Sequence, residues 1–196
     1  MIAWLNLSCL LFSALLFLYF YVRSVSPAGR RMVIGSGAYE LCGRERLVAF
    51  VLQLVVTLNY VLYRFFPIAT RLPRQFPWSW GISIGIALAI GAPAMALMVK
   101  GIRDAGEETF YPQEEQTLFG GIYQRIRHPQ AVGEVLTFWT IAFLLHSPFL
   151  AIISFVFIPL YLVMCWAEEQ DLLLRFGERY ADYCRKTGAF FPKRQS

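Results

Sequence analysis

The chain has 196 residues, of which 57% are hydrophobic and 16% aromatic, and its mean hydropathy is +0.50. These values lie outside the range of soluble globular domains and predict an integral membrane protein. The net charge of +5 follows the pattern of membrane loops described below, so it indicates topology and argues against a nucleic-acid partner.

Apolar runs long enough to cross a bilayer occur in chain order at 2–22, 47–66, 80–99 and 131–166. A span needs about 20 residues, and the last run exceeds that length. It is interrupted by His146-Ser147-Pro148, a turn signal, so we expect a helical hairpin of two short spans. The sequence therefore predicts an all-α polytopic membrane bundle of about five transmembrane helices, with a C-terminal helical hairpin and a cytoplasmic tail helix.

Basic residues are concentrated on one side of the predicted spans. Fifteen of the eighteen lie in 23–46, in 100–130 and in the tail after residue 166, whereas three lie between residues 64 and 74. Positively charged loops stay in the cytoplasm. This distribution predicts a multi-pass protein with its N-terminus outside and its C-terminus in the cytoplasm.

The acidic residues divide the chain into two parts. All thirteen lie in 23–46 or from Asp104 onward, and the predicted outer loops have none. We therefore expect the polar chemistry at the cytoplasmic interface. Residues 1–99 are interpreted as an N-terminal scaffold of three spans, and residues 100–196 as the catalytic half.

The third apolar run has small residues at every fourth position, Gly81, Gly85 and Ala89. This spacing places them on one face of a helix, where another helix can approach closely. We expect ordinary helix packing at this face, with a groove for a lipid or cofactor as the alternative.

The polar stretch "GGIYQRIRHPQAVGEV", residues 120–135, comes directly before the fourth predicted span. Because a residue before proline avoids helical conformation and proline suits the first turn, His128 is predicted as the N-cap or an N-terminal neighbour of the helix, and Pro129 as the first helical residue. The amides of that turn, together with Arg125 and Arg127, would suit a carboxylate or phosphate. This predicts an anion site. The alternative for both arginines is a topology anchor or a lipid headgroup contact.

Glu134 lies one turn inside the fourth predicted span. An acid at that depth is costly unless it faces the protein interior, water or a partner. The structural alternative to a functional role is an ion pair with Arg127 or Arg103.

A second polar cluster follows the fifth span, in "CWAEEQDLLLRFGERYADYC". Glu168 and Glu169 are about 100° apart on a helix, so we expect one to face inward and the other to be solvated. Asp171 and Arg175 have the i,i+4 spacing of a surface pair. A solvated face is expected for the charged residues that follow, Glu178, Arg179 and Asp182.

The helical hairpin should bring these two clusters to the same membrane surface, because it returns the chain to its starting side. A basic site at a helix N-terminus would then face an acidic site across a cavity backed by apolar helices. Such a site suits a ligand that carries both a carboxylate and a cationic group, as an amino-acid-bearing cofactor does. The two histidines and four cysteines lack the spacing of metal ligands, so we expect no protein-bound metal.

The pieces "GGIYQRIRHPQAVG" and "EEQDLLLRFGERYADYCRKTGAFFP", with the apolar hairpin between them, resemble the membrane methyltransferases of the isoprenylcysteine carboxyl methyltransferase and phospholipid methyltransferase group. The resemblance covers residues 100–193, and the first half of the chain carries no matching motif. It implies a helical enzyme of five or so spans that binds S-adenosylmethionine near the cytoplasmic face. A lipophilic acceptor would reach the sulfonium through a tunnel open to the bilayer.

The resemblance also implies a set of cofactor-contacting residues, which are Tyr123, Arg127, His128, Pro129, Gly133, Glu168 and Glu169. Ala131 departs from the family, which usually has an aromatic residue, most often tyrosine, two positions after the motif proline. Glu134 is more similar to the sterol reductase relatives, which commonly have glycine followed by glutamate there.

The predicted function is S-adenosylmethionine-dependent methylation of a lipophilic acceptor such as an isoprenylcysteine carboxylate. A carboxylate is already ionised at neutral pH and needs only positioning, for which Arg127 is the candidate. An amine or thiol must lose a proton, which Glu134 or His128 could take. We therefore predict Arg127 and Glu134 as catalytic residues, and a lipophilic or prenylated substrate and membrane lipids as partners. The alternatives are an NADPH-dependent enzyme like the sterol reductases and a non-catalytic lipid-binding membrane scaffold.

Overall fold

The computed structural model describes residues 1–113 and 120–193. These residues form eight α-helices and no named strand, which confirms the all-α prediction. The helices are α1 (Ile2–Ser24), α2 (Pro27–Ile34), α3 (Ala38–Leu62), α4 (Trp80–Ala105), α5 (Pro129–Leu144), α6 (Pro148–Ile153), α7 (Phe157–Phe176) and α8 (Glu178–Lys186).

Four helical segments of the described chain are long and apolar enough to cross a bilayer, namely Ile2–Ser24, Pro27–Leu62, Trp80–Thr109 and Pro148–Phe176. The remaining predicted span is α5, which has 16 residues. At 1.5 Å per residue it is about 24 Å long, shorter than a hydrocarbon core of about 30 Å. The membrane bundle is thus confirmed as four full-length apolar helices with a short fifth one at the predicted place. The side on which each end lies stays a prediction.

The turn predicted inside the last apolar run is confirmed. His146 adopts a left-handed conformation with φ 53°, which reverses the chain after α5. Its Nδ1 lies 2.7 Å from the Oγ of buried Ser83. Ser147 then caps α6 by accepting a hydrogen bond from the N–H of Leu150, and Pro148 occupies the first helical position.

Tyr60 fixes α3 to this hairpin. Its side chain is fully buried, and its hydroxyl lies 2.6 Å from Ser154 Oγ, 2.7 Å from Leu150 O and 3.1 Å from Phe138 O. The ring also packs edge-on against Phe138. Because these partners come from α5, α6 and the turn before α7, one side chain holds three segments together.

Glycines allow α4 and α5 to pack along each other at short distance. A Cβ at Gly133 of α5 would lie 2.6 Å from the carbonyl oxygen of Ala94, and a Cβ at Gly91 of α4 would lie 2.6 Å from Thr140 Cγ2. A comparable clash would arise at Gly101. The small residues predicted to pack, Gly81, Gly85 and Ala89, are instead exposed on the described chain. The packing face of α4 therefore lies on another side of the helix.

Gly133→Ala should destabilise the protein by about 1–3 kcal/mol, because the new methyl group meets the backbone of α4 and forces the two helices apart. Thermal unfolding in detergent measures this effect. Gly85→Ala is the matched control, since a Cβ there has nothing within 4 Å, and it should leave the melting temperature unchanged or raise it. Equal melting temperatures for the two variants would contradict the packing described here.

Candidate functional site

The two residues before α5 are held by the chain that follows α8. The backbone N–H of Arg127 donates to Gly188 O at 2.9 Å, and that of His128 donates to Ala189 O at 3.0 Å. A Cβ at Gly188 would lie 1.8 Å from Phe191 O, so this position requires glycine. The start of α5 is thus fixed against the C-terminal segment.

His128 is the N-cap of α5, as predicted, and its side chain is buried. Its Nε2 lies 2.8 Å from Glu169 Oε1, and its Nδ1 lies 3.5 Å from Glu168 Oε2. The expectation that only one of these glutamates faces inward is wrong, because the two carboxylates reach opposite nitrogens of one ring. The predicted meeting of the two polar clusters is confirmed at this imidazole.

The pKa of His128 is raised well above its ordinary value. Burial is the largest single influence and by itself lowers the pKa. Hydrogen bonds with Cys165, Glu168 and Glu169 together raise the pKa by more than burial lowers it. The two glutamates thus favour the protonated imidazole, which offsets part of their negative charge.

Arg127 binds three protein oxygens from two parts of the chain. Its Nε donates to Glu169 Oε1 at 2.8 Å, and its Nη1 donates to the carbonyl oxygens of Cys184 at 3.2 Å and Thr187 at 2.7 Å. Burial lowers the pKa of Arg127, but the hydrogen bond and charge of Glu169 outweigh it, so the pKa is raised overall. Two of the three guanidinium nitrogens are thus committed to holding the start of α5 against α7 and α8.

Tyr123 is held in place from three directions. Its hydroxyl donates to Gly101 O at 3.2 Å and accepts from Gln130 Nε2 at 2.9 Å, while its carbonyl oxygen accepts from the hydroxyl of Tyr183 at 2.6 Å. These bonds connect α4, α5 and α8 next to His128. Tyr123 is therefore a rigid wall of the site.

A polar cleft lies beside these groups. Six of the residues predicted for the site line it, namely Tyr123, Arg127, His128, Pro129, Glu134 and Glu168. Ala131 lines it as well, so the methyl group there leaves free the space that an aromatic ring would fill.

Gly133 and Glu169 are not among the residues that line the polar cleft. Gly133 faces α4, and Glu169 lies behind the imidazole, where it binds Arg127 and His128. Their contact with a cofactor stays a prediction, whereas their structural roles follow from these contacts.

An apolar cavity of about 370 Å³ adjoins the polar cleft. The two share five lining residues, which are Tyr21, Arg46, Thr109, Gln130 and Glu134. Leu47, Phe50 and Leu54 also line the cavity and are each 41–54% exposed on the surface of α3. Because α3 is an apolar helix of spanning length, the cavity opens toward lipid.

Glu134 lies where the polar cleft and the apolar cavity meet. Tyr161 beside it is held by Gln53, whose Nε2 donates to the Tyr161 hydroxyl at 3.0 Å. Arg103, one of its two predicted partners, is exposed. The position of Glu134 between the two spaces therefore favours a functional role over a structural ion pair.

Four charged residues of the site were missed or misread from the sequence, namely Arg46, Glu108, Asp171 and Arg175. Arg175 pairs with Glu108 at 3.2 Å, and their side chains are only 5% and 8% exposed. Asp171 is buried and accepts a hydrogen bond from the N–H of Gly29. The expected surface pair of Asp171 and Arg175 is therefore wrong.

Helical periodicity could have revealed this burial. Asp171 follows Glu168 by three residues and Arg175 follows it by seven, so all three lie on one face of α7. Helix α2 packs against that face. By contrast, the residues expected on the solvated face, Glu178, Arg179 and Asp182, are exposed as predicted.

The model of the phospholipid methyltransferase family matches residues 86–179. A methanethiol S-methyltransferase from Pseudomonas sp. strain GM41 is 31% identical over 153 residues, which are 72% of this chain and 56% of that protein. The chain thus spans little more than half the length of this relative. No solved structure matches the chain.

The raised pKa of His128 predicts that stability falls as pH increases. Because the folded state holds this proton more tightly than the unfolded state, the stabilisation is complete below the unfolded pKa of about 6.5 and is lost as pH rises through the folded pKa. Unfolding in detergent at a series of pH values measures it. Glu169→Gln removes one of the charges that raise the pKa and should flatten the profile, whereas Glu178→Gln on the exposed face should not. If the stability of the wild type instead rises as the pH increases above about 6.5, the raised pKa of His128 is contradicted.

Proposed function

This chain belongs to the phospholipid methyltransferase family of membrane methyltransferases, and on that basis we propose that it transfers a methyl group from S-adenosylmethionine to a lipophilic acceptor taken from the bilayer. The observation that carries this proposal is the direct contact between a polar cleft and an apolar cavity that opens toward lipid. One compartment suits a charged, water-soluble cofactor, and the other suits an apolar acceptor.

The polar cleft has groups that fit the cofactor. Glu168 faces the cleft and can bind a cationic group, and the first-turn amides of α5 favour negative charge because no side chain caps them. Tyr123 and the alanine at 131 offer a flat, partly apolar wall. S-Adenosylmethionine combines an adenosine, an ammonium and a carboxylate, and it supplies a methyl group on a positively charged sulfur that is already activated for transfer.

The protein then contributes alignment and a dry environment. In an in-line displacement the acceptor must face the methyl carbon from the side opposite the leaving sulfur. The shared border of the two compartments meets this need, because an acceptor in the apolar cavity and a cofactor in the polar cleft touch only there. Phe17 and Phe138, which line the cavity, help to exclude water from that border.

Glu134 at this border favours an acceptor that must lose a proton. A carboxylate acceptor would be repelled by the glutamate, and Arg127 has most of its donors bound to protein oxygens. A thiol gives up a proton as its sulfur bonds to the methyl carbon, and Glu134 is placed to take that proton. The name of the methanethiol S-methyltransferase relative supports the same class. We therefore favour a thiol over the isoprenylcysteine carboxylate.

Neither alternative function gains support from a specific contact. An enzyme that resembles the sterol reductases would need several basic groups for the phosphates of NADPH, and Arg46 and Arg127 are the arginines that line the polar cleft. A non-catalytic scaffold has no need for an acid at the border of the two compartments. Oxidation of added NADPH, followed spectrally, separates the reductase from the methyltransferase.

The purified protein in detergent should bind S-adenosylhomocysteine, and Glu168→Gln should weaken that binding tenfold or more, about 1.4 kcal/mol. Glu168 lines the cleft, and its replacement by glutamine removes a negative charge that can bind a cationic group of the ligand. Calorimetry measures the affinity, and Glu178→Gln is the control for a lost surface charge. Undetectable binding by the wild type at millimolar ligand would overturn the proposed function.

Glu134→Gln should reduce the turnover of an apolar thiol by about 10²-fold or more, with the affinity for S-adenosylhomocysteine within twofold of the wild type. The glutamine keeps the size of the side chain but cannot accept the proton. Mass spectrometry of the methylated product follows turnover. Undiminished methylation by this variant would remove Glu134 from the chemistry, and an equal loss of cofactor affinity would place it in cofactor binding instead.

A further inference from the structure

Tyr21 of α1 is one of the five residues that line both the polar cleft and the apolar cavity. It lies close to the end of α1 at Ser24. Its ring packs against that of Phe17, four residues earlier, with the two ring centroids 5.8 Å apart, and Phe17 lines the cavity as well. Because residues four apart share one face of a helix, this face of α1 forms part of the wall that the two spaces have in common.

The side chain of Tyr21 differs from the other four at this border because its hydroxyl is free. Arg46 donates to two backbone carbonyl oxygens, and Gln130 donates to Thr109. Glu134 forms a hydrogen bond with the tyrosine beside it. By contrast, the hydroxyl of Tyr21 makes no hydrogen bond with any residue in 1–113 or 120–193, the parts of the chain that the structure describes. Tyr21 thus supplies an unused hydrogen-bond donor at the border.

The electrostatic surroundings of this hydroxyl show which groups lie near it. The charges of Glu134 and Glu168 both act on Tyr21. Glu134 lies at the border of the two spaces, and Glu168 lines the polar cleft. Tyr161, which forms the hydrogen bond with Glu134, is influenced by Tyr21 as well. The free hydroxyl therefore lies close to the acid that is proposed to take the proton.

A free donor next to this acid matches the hydrogen-bonding capacity of a thiol. A thiol can donate its S–H, and its sulfur can accept a hydrogen bond. At the border Glu134 can accept the first bond, and Tyr21 can donate the second. Two bonds in different directions fix the orientation of the sulfur, so a remaining lone pair can face the methyl carbon. A neutral hydroxyl achieves this without a further charge in an apolar bundle.

We propose that Tyr21 donates a hydrogen bond to the sulfur of the acceptor thiol and so orients it between Glu134 and the methyl group, an inference that rests on the proposed function. Tyr21 belongs to α1, outside the segment 86–179 that the family model matches. The N-terminal part of the chain, which carries no recognised motif, thus contributes a residue that touches the substrate.

The hydrogen bond from Tyr21 acts during the transfer itself. The S–H bond breaks and its proton goes to the carboxylate of Glu134, while a lone pair of the same sulfur forms the new bond to the methyl carbon. The bond from that carbon to the donor sulfur breaks, and its electron pair stays on the donor sulfur. Negative charge grows on the acceptor sulfur as the proton leaves, so the bond from Tyr21 is strongest in the transition state.

Tyr21→Phe removes the hydroxyl and keeps the ring. With octanethiol as the acceptor, this variant should lower kcat about tenfold or more, as expected for the loss of a hydrogen bond to a charged atom. The KM for octanethiol and the affinity for S-adenosylhomocysteine should stay within about twofold, because the lost bond acts mainly in the transition state. Mass spectrometry of methyl octyl sulfide measures turnover in detergent, and calorimetry measures the affinity.

Tyr19→Phe is the matched control. Tyr19 lies on the same helix, is 54% exposed, and has its hydroxyl 3.1 Å from Arg23 Nη1. Its replacement removes the same atom from the lipid-facing side of α1 and should change neither kcat nor the affinity.

A double variant separates a shared action on the sulfur from a structural effect. Because Tyr21 and Glu134 act on one atom in one step, Tyr21→Phe combined with Glu134→Gln should lose much less activity than the product of the two single losses. If the two losses simply multiply, Tyr21 acts independently of Glu134 and the inference is wrong.

The outcomes distinguish this inference from the proposed function. If the wild type neither binds S-adenosylhomocysteine nor methylates octanethiol, both fail. If it binds S-adenosylhomocysteine and methylates no thiol, the thiol acceptor and this inference fail together. If the wild type methylates octanethiol and Tyr21→Phe keeps its kcat, the inference fails and the proposed function stands. Equal losses of kcat and of affinity for S-adenosylhomocysteine would place Tyr21 in cofactor binding, which also overturns the inference alone.

Discussion

The placement of one buried imidazole between two glutamates determines the rest of this site. His128 lies at the start of α5, and Glu168 and Glu169 lie in the second half of α7, so their contacts join the first and the last helix of the hairpin. Charged groups at the edge of an apolar bundle are stable only when they are paired. The paired charges therefore fix the distance between α5 and α7, and that distance sets the width of the polar cleft.

The features that were predicted correctly depend on local signals. The turn at 146–148, the N-cap at His128 and the exposed charged face of the tail helix each follow from the preferences of a few residues that are close in sequence. The meeting of the two polar clusters follows from one added step, since a hairpin returns the chain to the same side. Hydropathy and the positions of the prolines are thus enough to predict the helical bundle and the meeting of the two polar clusters.

The remaining features depend on which helix lies opposite each face, and the sequence does not state that. The spacing of Asp171 and Arg175 is the same for a solvated pair and a buried one, and only the packing of α2 decides between them. The exposed Gly85 and the tightly packed Gly91 likewise lie on one helix and differ only in what faces them. Arg46 belongs to no recognised motif, yet it lines both the polar cleft and the apolar cavity.

If the proposed acceptor enters the apolar cavity between Leu47, Phe50 and Leu54, the membrane affects how acceptors compete. A molecule that arrives through this opening dissolves in the membrane first, so saturation depends on its mole fraction in the leaflet instead of its bulk molarity. Each added methylene favours partition by about 0.8 kcal/mol, roughly fourfold. Selection among homologous compounds then depends both on partition into the membrane and on the fit inside the protein. A compound with a longer alkyl chain is favoured by partition even where the protein binds both compounds equally well.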